Sequence, residues 1–200
     1  RLLNKIKNMS LQDITKLRQM TGAGMMDCKN ALDEANNDLE KAAEILRKKG
    51  IVKAAKRADK IAAEGTTIVK VSGNTAVIAE INSETDFVSR SEDFQNLTAG
   101  IIDELLAKKP ADLESALNGG INDKISAVVG KIGEKISLRR FVVVEKTDNE
   151  AFGDYVHMGG KISVLTVLEN TTDANLAREV AMHAAAANPK YLNRAEVPQE

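Results

Sequence analysis

Few side chains in this sequence could do covalent chemistry. Cys28 has Lys29 beside it, a neighbour that would favour the thiolate, but a small thiol at helical spacing from Ala31 and Leu32 is also what a core position looks like. The two histidines, His157 and His183, fall in different elements, and His183 in Ala181-Met182-His183-Ala184 reads as a partly buried helix histidine rather than a base or ligand. One cysteine excludes an internal disulfide framework, and a zinc site would need a carboxylate as fourth ligand. There is no G-x-S-x-G elbow, P-loop or H-E-x-x-H, and Gly22-Ala23-Gly24 lies between helices without the strand that a dinucleotide site requires. No catalytic constellation is present, and neither an enzyme nor a metal site is expected.

Two places could instead do contact chemistry. Met25 and Met26 are adjacent on a helix, about 100° apart, so if one packs inward the other faces out; the alternative is that both are partly buried. The polar loop Asn82-Ser83-Glu84-Thr85-Asp86-Phe87-Val88 follows a strand and carries an aromatic beside an acid. Phe87 either folds back on the core or stands out as an anchor for a partner's pocket.

The elements that must position these residues follow from the pattern of the 200-residue chain. A 43% hydrophobic, 28% charged composition is that of a globular chain, and no run approaches the ~18 apolar residues of a membrane span. The net charge of −1 conceals an asymmetry: residues 1–64 carry 14 Lys+Arg against 9 Asp+Glu, while the remainder carries 14 against 20. Only 3% aromatics and no Trp argue against base-stacking nucleic-acid platforms. Ser10, with Asp13, opens a helix carrying Leu11, Ile14, Leu17 and Met20; a second presents Met25, Cys28, Ala31 and Leu32; Asn36-Asn37 turns into a third bearing Leu39, Ala42, Ala43, Ile45 and Leu46, with Gly50 past its end. This predicts a three-helix domain over 9–50 and an Ala/Lys-rich linker helix over 51–65.

From Thr66 the pattern becomes β-branched. Strands either side of Ser72-Gly73-Asn74 form a hairpin, and a helix through Phe94, Leu97, Ile101, Ile102 and Leu105 follows. Helical stretches over 111–117 and 121–135, a strand over 136–144, a second hairpin around Gly159-Gly160 and a helix capped by Asp173 complete the chain. The hairpin-and-helix unit occurs twice, which suggests two related α+β subdomains, over 66–138 and 139–200. The fold class is α+β, with antiparallel hairpins packed with helices.

Thr21-Gly22-Ala23-Gly24-Met25-Met26-Asp27-Cys28-Lys29 and Glu84-Thr85-Asp86-Phe87-Val88 resemble two signatures of the bacterial elongation factor Ts family; Lys131-Ile132-Gly133-Glu134, with Arg139-Arg140, and Ala181-Met182-His183-Ala184-Ala185 resemble two more in the same order. The resemblance implies a ubiquitin-associated-like N-terminal domain and a cytoplasmic nucleotide exchange factor that binds elongation factor Tu, in its GDP-bound and nucleotide-free forms, without covalent chemistry or cofactor. It implies that Arg18, Met25, Met26 and Lys29 meet the partner's GTP-binding domain, that Thr85, Asp86, Phe87 and Val88 bind the partner with Asp86 and Phe87 beside its Mg²⁺ site, and that Gly133, His157 and His183 add contacts. Many members continue past Pro198, so the second subdomain is expected to be incomplete and a homodimer to depend on a further segment. Met9 reads as a plausible original start, with no secretory leader before it. The rival reading is a ribosome- or RNA-associated module using the basic N-terminal segment; neither a membrane nor direct nucleic-acid contact is expected on the exchange reading.

Overall fold

The computed structural model describes residues 11–199; the expected Ser10 cap and the first nine residues lie outside the described residues. Three helices come first: α1 (Leu11–Thr21), α2 (Met25–Glu34) and α3 (Leu39–Lys56). Asp38 caps α3 by accepting from the backbone N–H groups of Glu40 and Lys41, both at 3.1 Å. Ile14, Leu17, Cys28, Ala31, Leu32 and Ala42 form the small core between them. Leu11 and Met20, expected to share the inner face of α1, are exposed, as is Met25 on α2, because so short a bundle covers only a narrow stripe of each helix.

The linker is shorter than its sequence suggests. Gly50, expected beyond the end of the third helix, lies buried inside α3, which continues to Lys56; residues 57–60 turn, and β1 begins at Glu64. Gly50 serves close helix approach rather than a left-handed cap.

Strands β1 (Glu64–Ser72) and β2 (Thr75–Ser83) form the first hairpin, followed by the short α4 (Asp86–Ser89), α5 (Glu92–Lys108), α6 (Leu113–Ala116), a wide turn over Leu117–Ile121, α7 (Asn122–Ile132) and β3 (Ile136–Glu145). β3 pairs antiparallel with β2 along its length, giving the sheet order β1-β2-β3. The expected subdomain break at 138/139 therefore cuts a strand of the first sheet; the change of sheet comes after Glu145. A register shift between Glu80 and Ile81 lets consecutive Arg139 and Arg140 reach one carboxylate, that of Glu80, at 2.9 and 2.7 Å. Val77, Ile81, Phe94, Ile101, Ile102, Leu105, Ile121 and Val129 fill the space between this sheet, α5 and α7.

β4 (Ala151–His157) and β5 (Ile162–Leu168) form the second hairpin, against which α8 (Ala174–Ala187) packs, capped by Asp173. The hairpin tip docks on β1: Gly160 accepts from the Thr67 backbone N–H at 2.6 Å and its hydroxyl at 2.9 Å, and a Cβ on Gly160 would lie 1.9 Å from Thr66 Oγ1.

Candidate functional site

Each candidate contact residue is set by its local backbone. Thr85 is the N-cap of α4, and its Oγ1 accepts from Val88 N at 3.4 Å. This single turn drives Val88 into the core at 7% exposure and leaves Phe87, one position earlier, 83% exposed. Of the two readings of Phe87, the outward one holds. Its neighbour Asp86 is half-buried and pairs with Arg90 at 3.2 Å.

The turn is clamped from three sides. The Glu134 carboxylate accepts from the Thr85 backbone N–H at 3.1 Å and from its hydroxyl at 2.9 Å. The Glu84 carboxylate accepts from the Lys135 backbone N–H at 2.6 Å and from Arg57 at 2.9 Å; these bonds, the Lys135 amide first, hold it below the ordinary carboxylate range. Ser83 Oγ donates to the Thr85 carbonyl at 2.9 Å. Gly133 closes α7 in a left-handed conformation, φ 85°, which turns the chain so that Glu134 points at Thr85. Gly133 thus acts on the site as a backbone corner. Glu134, Glu84 and Arg57 are the residues that site reasoning from sequence passed over: Glu134 stood inside a quoted motif, but nothing in its spacing said which loop, 49 positions away, it would hold.

The methionine signature lies near the same end of α7. In the α1–α2 corner, a Cβ on Gly22 would meet Lys131 side-chain atoms at 3.0 Å, and Lys131 pairs with Asp93 at 2.5 Å. Met25 and Met26 are both exposed, 42% and 64%, so neither the one-in, one-out nor the partly buried reading describes them; Arg18 and Lys29 are exposed as well. Cys28 is buried, and burial raises its thiol pKa, so it is a core residue and not a nucleophile.

The histidines stand apart from these two patches. His157 is exposed beside the tip that docks on β1, with Tyr155 Oη 2.9 Å from its Nδ1. His183 is exposed on α8, not partly buried, since the helix turns Ala177 and Ala181 inward instead. Lys41, Arg47, Lys48, Lys49, Lys53 and Arg57 each pair with a carboxylate.

The site presents exposed methionine and phenylalanine side chains on braced corners of an α+β core, and among the described residues no cluster of three or more metal-ligating side chains occurs. Residues 84–200, more than half of the chain, match the family described as Elongation factor TS. The chain belongs to the elongation factor Ts family, whose general role is nucleotide exchange on elongation factor Tu without covalent chemistry. No helix of the described residues is long and apolar enough to cross a membrane.

Proposed function

We propose that this chain binds GDP-loaded elongation factor Tu in the cytoplasm and speeds GDP release by inserting Phe87 between elements that close over the nucleotide, while Asp86 disturbs the water and side-chain network around the partner's Mg²⁺. The observation that carries this reading is the 83% exposure of Phe87 on a turn braced by Glu134 and anchored by Val88. A large apolar side chain held in water by the fold gains on entering a partner's pocket: burying a phenylalanine is worth about 1.5–3 kcal/mol. Loss of Mg²⁺ coordination then removes much of the remaining phosphate affinity.

Exchange of this kind obeys reciprocal linkage: by whatever ratio the factor weakens GDP binding, GDP weakens the factor's binding. Arg18, Met25, Met26 and Lys29 supply a second contact from the helical module, and Gly133, His157 and His183 further contacts from the core. The RNA-module reading is not favoured, because most basic side chains of α3 already hold carboxylates. The test is release of fluorescent GDP from elongation factor Tu. Addition of the chain is expected to accelerate it with saturating dependence on concentration; an unchanged rate at every concentration overturns the reading.

A further inference from the structure

We propose that the crossing of α3 on α7 at Gly50 and Gly130 is a positioning device: it fixes the Met25/Met26 surface relative to the Phe87 turn so that one partner molecule engages both. The inference rests on the exchange reading above. The helices touch backbone to backbone here. A Cβ on Gly50 would lie 2.9 Å from the Ser126 carbonyl oxygen, and one on Gly130 would lie 2.9 Å from Gly50 Cα. Neither neighbour is a side-chain tip that can swing aside, so any larger residue must separate or rotate the helices.

Both contact surfaces are referenced to this joint within a turn or two. On one side, Lys53 sits one turn beyond Gly50 and reaches Asp27 of α2 at 3.2 Å and the Gly130 carbonyl at 3.3 Å. One ammonium therefore ties the helix that begins with Met25 and Met26 to the end of α7. On the other side, the chain leaving α7 at Gly133 presents Glu134 to Thr85, and Arg57 at the end of α3 holds Glu84.

Two contacts on a rigid support behave as a bivalent ligand. Once one engages, the other binds intramolecularly, and the gain is lost when the geometry does not match. Gly50→Ala alters that geometry and touches neither surface. It is expected to raise about tenfold the factor concentration giving half-maximal acceleration of GDP release, while the rate at saturation stays within about twofold of the parent. In an Arg18→Ala/Met25→Ala/Met26→Ala/Lys29→Ala background, which has lost the module contact, Gly50→Ala should add nothing. A parent-like Gly50→Ala, or a loss that adds in full to that of the module variant, overturns the proposal.

A second measurement needs neither partner nor a folded glycine variant. Spin labels at Met26→Cys and Phe87→Cys, in a Cys28→Ala background, are expected to give one narrow distance distribution in the free factor, and a broad one overturns the proposal. If the parent fails to accelerate GDP release, the exchange reading fails whatever the distance distribution; if the parent is active and the distances are broad, only the positioning device fails.

Discussion

At the residue scale, the decisive feature is how little separates an anchor from a core side chain. Val88 and Phe87 are neighbours, yet Thr85 at the N-cap of α4 sends one inward and the other into solvent. Thr85→Val removes the hydroxyl bonds to Glu134 and the cap bond from the Val88 N–H, and leaves that carboxylate only the backbone N–H of Thr85. At about 0.5–1.5 kcal/mol per hydrogen bond, the urea unfolding free energy is expected to fall by about 1–2 kcal/mol. The maximal exchange rate should fall with it. Stability change alone, with exchange untouched, means that Glu134 does not position the turn. Glu84 gives a pH signature. Its folded pKa lies below the unfolded value because the Lys135 amide and Arg57 bind the carboxylate form. The unfolded chain therefore takes up the proton first on acidification, and stability present at neutral pH is lost as pH drops below the usual glutamate value of about 4.3. Glu84→Gln should be less stable than the parent near pH 6 and lose less on going to about pH 3.5; equal acid sensitivity of the two unfolding midpoints contradicts this.

At the scale of elements, α5 and α7 hold the core and α3 couples it to the helical module. Phe94, on the inner face of α5, is the largest fully buried side chain among the described residues, and Phe94→Ala is expected to cost about 3–5 kcal/mol, read as a lower denaturant midpoint with an unchanged slope. A cost below about 1 kcal/mol means the core is looser than its burial indicates. Most of these elements were legible in the residues. The apolar spacing of α5, the Gly73 turn between β1 and β2 and the Asp173 cap of α8 are local signals, and each element forms where its signal lies. Gly50 was not legible, because a glycine that ends a helix and one that lets another helix approach look alike until Gly130, 80 positions on, is in place. The partnership of β3 with β2 was missed for the same reason: strand type is written locally, pairing is not.

At the scale of the whole molecule, part of the basic excess that invited an RNA reading is engaged by surface carboxylates. Lys49 holds Glu34 and Lys53 holds Asp27 within the module, while Arg57 holds Glu84 of the core. The candidate contact residues stood out as types and motifs; their exposure and bracing did not, since these depend on Glu134 and Lys53 arriving from distant parts of the chain. Among the exposed apolar side chains, Met25, Met26 and Phe87 stand on supports that converge at the end of α7. Phe87 is the group proposed to open the partner's nucleotide site. The most direct measurement is the maximal rate of fluorescent GDP release from elongation factor Tu at saturating factor, parent against Phe87→Ala. At about 1.4 kcal/mol per decade, loss of a buried phenyl predicts a ten- to hundredfold lower maximum with the fold intact by circular dichroism; a Phe87→Ala chain that reaches the parent's maximum contradicts it.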